Sequence, residues 1–329
     1  MPRLTLIMPA FNAATFVEEA VNSLISQTYT DFELWIIDDG STDNTRNKID
    51  LFQDSRIKRF YFNENRGRVL CVNELVGLVK TEYLSITDAD DVSHPTRIEK
   101  QIALLDQNPE VAMCGTSYWA MDENGVLIRK LELSADYAHI REANLVQPQF
   151  HGPTSIFRTR MVLELNEFYR LYFRKNMADT DLAARVVDQF PSVNIAEPLY
   201  YYRIVSTSES RKEFSFRFAM IDRTIIFLSK QRRTLGQDSL QGKNKEDLDK
   251  FVDGWETVYA SDPSRLLREA AFYHLYWKVL DKAWRCAWQA FSIKPLQPKN
   301  WLCMSLCVGL GFVYWGQALF GKHYQSLLK

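Results

Sequence analysis

The stretch that decides the fold is FELWIIDDGSTDNT, residues 32–45. Phe32–Ile37 is an apolar run with the length of a buried strand. It ends in the polar turn Asp38-Asp39-Gly40-Ser41, and Asp43 and Asn44 are residue types that start helices. A buried strand that leads through a polar turn into a helix is the repeating unit of parallel α/β sheets.

The same alternation occurs on both sides of this stretch. Apolar strands are predicted at residues 4–8, 57–62 and 83–87, and helices at about 17–25 and 69–79. Thr15 and Glu18 have the spacing of a capping box at the start of the first helix. This βαβαβαβ order predicts an α/β protein with a mostly parallel, Rossmann-like sheet between helices, which binds ligands beyond the carboxyl ends of its strands.

Three polar clusters follow these strands: Pro9-Ala10-Phe11-Asn12, residues 38–41, and Asp88-Ala89-Asp90-Asp91. In the third cluster, three carboxylates within four residues repel one another, and a hard divalent cation with oxygen ligands relieves that repulsion. The alternative is a helix start, in which one acid caps a helix beginning near Pro95 and the others are solvated. Asp39 has the same two interpretations, as a ligand-binding carboxylate or as a turn residue.

Composition excludes several classes of protein. The formal net charge is −1, which gives no support for a nucleic-acid partner. Five cysteines without a CxxC pair indicate free thiols rather than a zinc site. A nucleotidyl- or phosphotransferase would be expected to carry a loop of the type GxxxxGK[ST], which the sequence lacks. The first residues lack the order of a signal peptide, so a cytoplasmic location is predicted.

The character of the chain changes beyond residue 210. We predict a catalytic domain over residues 1–210 and a helical extension over 211–329, linked near residues 236–246. Residues 302–320 contain no charged side chain and, as a helix of about 28 Å, reach the thickness of a hydrocarbon core. Residues 265–300 contain seven Lys or Arg residues and two acidic residues, and such an excess of positive charge favours contact with an anionic lipid surface. Membrane association is therefore predicted, with a buried helix packed on the nearby tryptophans as the alternative.

Several of these segments together resemble the family-2 glycosyltransferases of the GT-A fold. The resemblance covers roughly residues 4–205. It is carried, in chain order, by LIMPAFN (6–12), IIDDGSTDNT (36–45), NENRG (63–67), LSITDADD (84–91), HGPTSIFR (151–158), ADTDLAARV (178–186) and PLYYYR (198–203). Members of this family use nucleoside-diphosphate sugars, require Mn²⁺ or Mg²⁺, and invert the anomeric centre of the sugar.

The resemblance implies a role for individual residues. Asp88 and Asp90 match the family's DxD pair, in which Asp90 contacts the metal and Asp88 binds the ribose or assists the metal. Asp91 matches the trailing acid, and His151 and Arg158 are candidates for contacts with phosphate or acceptor. The residues implied in donor binding are Pro9, Ala10, Phe11, Asp39, Asn65, Gly67, Arg68 and Asp88.

The catalytic base is implied by the family's Glu-Asp pair, which here reads Ala178-Asp179. Asp179 is therefore the expected base, and Asp181 is the competing candidate. Both acids also suit the first turn of a helix, where the helix dipole favours negative charge.

The function implied is that of a metal-dependent, hexosyltransferase-type enzyme that inverts the anomeric centre. It would move a sugar, by default from a UDP-sugar, to the hydroxyl of a sugar or lipid-linked sugar acceptor. Bacterial surface polysaccharide or lipopolysaccharide assembly at the inner face of the membrane is the expected setting. The alternative is a non-catalytic scaffold that binds nucleotide or sugar, which the missing Glu at Ala178 keeps open.

Overall fold

The computed structural model describes residues 2–205, 214–242 and 245–309. The chain forms two compact units. The first consists of residues 1–212 and 221–243, and the second of residues 213–220 and 244–329. One helix, Phe216–Leu235, contributes its first residues to the second unit and the remainder to the first.

The first unit is built on a sheet that has nine strands among the described residues. The strands are β1 (Leu4–Ala10), β2 (Phe32–Asp39), β3 (Ile57–Phe62), β4 (Tyr83–Ile86), β5 (Val92–Ser93), β6 (Met113–Met121), β7 (Leu127–Leu131), β8 (Ile156–Arg158) and β9 (Ser192–Arg203). Their order is β3-β2-β1-β4-β8-β6-β9-β5, with β7 paired to β6. The first four strands in this order are parallel to one another, whereas β8 is antiparallel to both β4 and β6.

Helices connect these strands. They are α1 (Val17–Ile25), α2 (Thr45–Asp50), α3 (Arg68–Val76), α4 (Arg97–Gln107), α5 (Tyr137–Ala143), α6 (Thr159–Leu163), α7 (Ala178–Gln189) and α8 (Phe216–Leu235). The predicted α/β fold with a Rossmann-like sheet and flanking helices is confirmed.

The core of the first unit lies where α1 and α4 cover the sheet. Leu4, Leu6 and Met8 of β1 are fully buried, and so are Val21 of α1 and Ile98 of α4. Strands β1, β2 and β4 are almost continuously apolar because they are covered on both faces, which is typical of a parallel sheet.

Strand pairing brings the predicted polar clusters to one edge of the sheet. Ala10 at the end of β1 pairs with Asp38, and Asp39 at the end of β2 pairs with Phe62. Ile86, the last residue of β4, pairs with Ile7, so the Asp88–Asp91 segment leaves the sheet beside the end of β1. The carboxyl ends of three parallel strands therefore meet where ligands bind in open α/β sheets.

The second unit is helical in its described part. After the start of α8 it contains α9 (Glu246–Ser261), α10 (Ser264–Tyr276) and α11 (Leu280–Ile293), and residues 298–309 are also helical. Ala271, Ala283 and Cys303 are buried in a small apolar core between these helices. No helix in the described ranges is both long and apolar enough to cross a membrane. Residues 310–320 of the predicted apolar segment lie outside the described residues.

Two local expectations differ from the structure. Helix α1 begins at Val17, with Phe16 at its N-cap and no capping bond from a side chain, so the capping box of Thr15 and Glu18 does not form. Glu18 is instead ion-paired with Lys48. In the polar stretch predicted as a linker, Asp238 is buried and paired with Arg170 within the first unit.

Candidate active site

Three carboxylates form the centre of the candidate site. Asp88, Asp90 and Asp91 lie in the segment between β4 and β5, and each offers an oxygen within 4.8 Å of the others. Asp91 is buried, while Asp88 and Asp90 are half-buried. No other group of three or more His, Cys, Asp or Glu side chains in the described part of the chain could hold a metal ion in this way.

Crowding changes the protonation of these acids. Burial, and then the charge of Asp88, raise the pKa of Asp90 to about 7. Burial and the charges of Asp90 and Asp88 raise the pKa of Asp91 well above its ordinary value. The second oxygen of Asp91, Oδ2, is buried and has no hydrogen-bond partner among the described residues. Hard oxygen ligands that cannot all be ionised without a cation fit a divalent ion such as Mn²⁺ or Mg²⁺.

Arg203 holds this acidic segment from β9. Its backbone N–H donates to Asp91 Oδ1 at 2.7 Å, and its Nε donates to the carbonyl oxygen of Asp90 at 2.8 Å. The guanidinium also pairs with Glu19 of α1 at 2.5 Å and lies over the ring of Phe16, 4.6 Å from its centroid. The sequence pointed to Arg203 only as the last residue of a matching motif, because this contact joins residues more than a hundred positions apart.

Arg68 approaches the cluster from α3. It forms an ion pair with Asp88, and the charge of Asp179 also acts on its guanidinium. Its Nη2 atom is buried without a hydrogen-bond partner among the described residues. A guanidinium in this position, with N–H groups on Nη2 that lack a partner, can contact a phosphate oxygen.

Asp39 is buried and fixes the loop that precedes α3. Its Oδ1 accepts a hydrogen bond from the backbone of Arg66 at 2.9 Å, and its Oδ2 accepts one from Gly67 at 2.8 Å. Gly67 has a φ of 89°, which an L side chain rarely adopts, and Asn65 before it is exposed. The structure thus joins Asp39 to the predicted loop of Asn65, Gly67 and Arg68.

The turn after β1 lies beside the turn after β2. Asn12 has a φ of 51°, its N–H donates to the hydroxyl of Ser41 at 3.0 Å, and its Oδ1 accepts from the N–H of Thr42 at 2.9 Å. Ala10 is buried, Pro9 is half-buried, and Phe11 is 46% exposed. An exposed aromatic ring held by a rigid turn is available to pack on a ligand.

Asp179 lies in the first turn of α7 and packs against Gly152. A Cβ atom on Gly152 would lie 2.1 Å from Asp179 Oδ2, so only glycine leaves room for this carboxylate. Asp179 is half-buried, and its Oδ1 accepts a hydrogen bond from the N–H of Thr180 at 2.9 Å. One carboxylate oxygen is thereby positioned while part of the group stays accessible.

Asp181 has very different surroundings. Its side chain is fully buried, and its Oδ2 accepts a hydrogen bond from Arg185 at 2.9 Å, while Arg170 lies 3.5 Å from Oδ1. Two guanidinium groups neutralise this acid within the core of the unit. The structure therefore separates the two acids that the sequence left in competition.

His151 precedes Gly152 and is surrounded by aromatic rings. Burial lowers its pKa, and the negative charges of Asp179 and Asp88 partly oppose this shift. Its ring stacks on Tyr118 with 4.3 Å between centroids, and the ring of Tyr202 meets it edge-on at 4.8 Å. His151 therefore lies near both the acidic segment and the expected base.

Arg158 is not brought to this cluster. It pairs with Tyr83 at the start of β4, whereas Asp88 follows the end of that strand. Its guanidinium donates to the carbonyl oxygens of Leu105, at 2.8 Å, and Val111, at 3.3 Å. Arg158 therefore lies at the opposite edge of the sheet, where its hydrogen bonds tie the strand to α4.

Comparisons with known proteins identify the family. Residues 5–165 match the model of glycosyl transferase family 2. The O-antigen biosynthesis glycosyltransferase WbnJ of Escherichia coli is 28% identical over 229 residues, which cover 65% of this chain and 84% of WbnJ. The family match includes β4, β5 and the acidic segment between them.

Solved structures share the fold. Residues 1–349 of Staphylococcus aureus TarS, in complex with UDP-GlcNAc, superpose with a TM-score of 0.59 at 14% identity, over 90% of this chain and 92% of TarS 1–349. The mannosyltransferase PcManGT of Pyrobaculum calidifontis, in complex with GDP-Man and Mn²⁺, gives a TM-score of 0.50 at 18% identity, over 95% of this chain and 81% of PcManGT. The domain match, the GT-A fold and the related sequences together establish that this chain is a member of glycosyl transferase family 2.

Proposed function

We propose that this glycosyltransferase is a metal-dependent, inverting, hexosyltransferase-type enzyme that transfers a sugar from a UDP-sugar to an acceptor hydroxyl. The observation that carries the proposal is the placement of Asp88, Asp90 and Asp91 at the carboxyl end of β4, with Asp179 approaching from α7. One group of acids would hold the leaving diphosphate through a cation, and the other acid would activate the nucleophile.

Each acid has a distinct part in the proposed reaction. Asp90 and Asp88 would hold Mn²⁺ or Mg²⁺, with Asp91 supporting them, and the bound ion would supply charge neutralisation for the diphosphate. Asp179 would accept the proton of the acceptor hydroxyl while the oxygen of that hydroxyl bonds to the anomeric carbon. The bond to the diphosphate breaks on the opposite face, so the configuration inverts.

Asp179 is preferred to Asp181 as the base because of their surroundings. Asp179 is half-buried and accessible, whereas Asp181 is fully buried between Arg170 and Arg185. A base must reach the proton that it removes, and a buried carboxylate held by two guanidinium groups cannot.

The donor side of the site would be formed by the first half of the sheet. Pro9, Ala10 and Phe11 would line the nucleotide pocket with Asp39 and the Asn65–Arg68 loop, and Arg68 would contact a phosphate. UDP is the proposed nucleotide because TarS, which shares the fold, was solved with UDP-GlcNAc. Mn²⁺ is supported in the same way by PcManGT.

The acceptor would be a sugar or lipid-linked sugar in the assembly of a bacterial surface polysaccharide or lipopolysaccharide. WbnJ, which acts in O-antigen biosynthesis by its name, supports this setting. The second unit would bring the enzyme to the inner face of the membrane. Trp284, Trp288 and Trp301 are 41%, 51% and 54% exposed, and amphipathic rings of this kind favour the membrane–water interface.

A donor-consumption assay tests the proposed chemistry. Wild-type protein with UDP-sugars and Mn²⁺ should release UDP, and chelation of the metal should stop the release. With an acceptor, NMR of the product should show the inverted anomeric configuration. Retention of configuration would contradict the mechanism, and release of UDP that continues in excess chelator would contradict the role of the metal.

The non-catalytic alternative is favoured by one observation. Ala178 stands where the family usually has a Glu, and it is buried at 6% exposure, so no carboxylate from that position reaches an acceptor. A scaffold of this kind would bind nucleotide with metal and yet consume no donor with any acceptor.

A further inference from the structure

Four aromatic rings form a cluster beside the expected base. The ring of His151 meets those of Tyr118 in β6 and of Tyr200 and Tyr202 in β9, and Tyr118 also meets Tyr202. We call this group the aromatic cluster. No role in the proposed chemistry uses Tyr118, Tyr200 or Tyr202.

The cluster is not simply part of the apolar core. Tyr200 is fully buried, but Tyr118, His151 and Tyr202 are each half-buried, so part of each ring reaches the surface. His151 lies at the centre, with Tyr118 stacked on it at an interplanar angle of 18° and Tyr202 edge-on at 70°. The Nε2 atom of His151 is buried and has no hydrogen-bond partner among the described residues.

The pairing of strands β6 and β9 brings the three tyrosines close together. In the pairing of β6 with β9, Ala120 is opposite Tyr202, and side chains two residues apart share a face of a strand. Tyr200 and Tyr202 therefore share one face of β9, and the register of the two strands shifts beside Tyr118, between Ser117 and Trp119. The rings of all three tyrosines meet His151, which is followed by the glycine that packs on Asp179.

The position of the cluster in the sheet separates it from the nucleotide side. Pro9–Phe11, Asp39 and the 65–68 loop follow β1, β2 and β3, which lie on one side of β4. Strands β6 and β9 lie on the other side of β4, beyond β8. The acidic segment that would hold the diphosphate follows β4 itself, so the rings lie on the side of that segment away from the nucleotide.

A sugar ring is the ligand that matches this chemistry. The axial C–H bonds of a pyranose form an apolar face that packs on an aromatic ring, and its hydroxyls require polar partners. The half-exposed tyrosine rings supply the first kind of contact, and an unpaired imidazole nitrogen supplies the second. A purely apolar ligand would leave that nitrogen without a partner at a cost in free energy.

We propose that Tyr118, His151 and Tyr202 form the binding subsite for the acceptor's terminal pyranose, holding its hydroxyl toward Asp179. The inference rests on the proposed function, since it takes Asp179 as the base. It adds that the acceptor is recognised through a sugar ring rather than through a lipid or a peptide. Tyr118 and Tyr202 would pack on the ring, and His151 would hydrogen-bond to a hydroxyl.

Saturation-transfer NMR on the full chain tests the subsite. The probes are methyl α- and β-glycosides of glucose, galactose, mannose and their N-acetylated forms, added to protein that holds UDP and Mg²⁺. At least one glycoside should receive saturation, strongest on the C–H protons of one face. Tyr202→Leu and Tyr118→Leu should each weaken its binding about tenfold, whereas Tyr202→Phe and Tyr118→Phe should retain it.

The controls separate the failure of this subsite from the failure of the proposed function. Tyr276→Leu removes an exposed tyrosine of the second unit and should leave glycoside binding unchanged. Thermal stabilisation by UDP and Mg²⁺, measured on each variant, reports folding and the donor site. Stabilisation without binding of any glycoside, or binding that the leucine variants leave intact, would overturn the subsite while leaving the donor site standing.

One further outcome would reassign the rings. If a UDP-sugar displaces the glycoside while UDP alone does not, the rings would contact the donor's sugar, and the acceptor assignment would be wrong. Absence of UDP binding in wild-type protein would contradict the proposed function itself.

Discussion

Asp179 and Asp181 stand two residues apart in α7, and their surroundings are opposite. One is half-buried against Gly152, and the other is fully buried between two arginines. The sequence predicts that both acids lie in the first turn of a helix, and this is confirmed. It ranked Asp179 first only through the family resemblance, because Arg170 and the space at Gly152 belong to segments outside α7.

Substitution of the two acids should therefore have different effects. We expect Asp179→Asn to lower kcat by about 10² to 10⁴-fold with little change in melting temperature, because it removes only the proton acceptor. Asp181→Asn should instead lower the melting temperature, because it removes the buried negative charge that Arg185 and Arg170 face. Steady-state kinetics and thermal melts of both variants check this. Full turnover by Asp179→Asn would contradict its role as the base.

Gly152 offers a second test at the same place. The methyl group of Gly152→Ala would meet the Asp179 side chain at 2.1 Å and push the carboxylate aside. A misplaced catalytic group costs on the order of 10²-fold in rate, so kcat should fall while the affinity for UDP with metal is kept. Gly254→Ala is the matched control, because a Cβ there meets nothing within 4 Å. Equal activity of the two variants would contradict the account.

The acidic segment predicts a dependence on pH. The pKa of Asp90 is raised to about 7 by burial and by Asp88, so the folded, ion-free protein binds more protons than the unfolded chain between about pH 4 and pH 7. Its stability should therefore fall as pH rises through this window. Mn²⁺ competes with the proton, so it should stabilise the protein more at about pH 8 than at about pH 6.

Thermal melts at both pH values, in chelator and in Mn²⁺, measure this difference. Asp90→Asn should make the ion-free protein less sensitive to pH and should reduce the effect of Mn²⁺. An equal effect of Mn²⁺ at the two pH values would contradict the raised pKa.

Among the elements, the strands and their order of occurrence follow from the sequence more closely than the contacts between them. Apolar runs predict β1, β2 and β4 because these strands are buried on both faces. Helix α1 begins at Val17, two residues after the predicted cap Thr15, and Phe16 occupies the N-cap position. Glu19 in its first turn forms an ion pair with Arg203. The pairing of β9 with β5 and β6, which brings Arg203 to the acidic segment, has no local signal.

Arg203 is expected to matter because it joins β9, α1 and the acidic segment. Arg203→Met keeps much of the side-chain volume but removes the hydrogen bond to the Asp90 carbonyl and the pair with Glu19. We expect a loss of about 1.5–3 kcal/mol in the free energy of unfolding, together with weaker Mn²⁺ binding. Arg203→Lys should recover part of the stability.

Denaturant melts and Mn²⁺ titrations measure both effects. Glu19→Gln is the control, because it removes only the exposed partner of the pair, and it should cost less than about 1 kcal/mol. Unchanged Mn²⁺ affinity in Arg203→Met would show that metal binding by the acidic segment does not depend on the side-chain interactions of Arg203.

At the scale of the whole molecule, the sequence predicts the family and the fold. Motifs in a fixed order identify the domain, and the first four of them lie at the carboxyl ends of β1 to β4. Asp238 illustrates what is missed: its polar neighbourhood predicts an exposed linker, yet Arg170 and Arg232 bury it in the first unit. Exposed Trp284 and Trp288 likewise depart from the core packing that their helical spacing favours.

The central claim is that the Asp88–Asp91 segment and the strands beside it form a working site for a nucleotide sugar and a metal. Thermal stabilisation of the purified chain by UDP, dTDP and GDP, each with and without Mn²⁺, tests it most directly. We predict a rise in melting temperature that requires both UDP and Mn²⁺ and is lost in Asp90→Asn. No shift with any nucleotide, or an unchanged shift in Asp90→Asn, would contradict the claim.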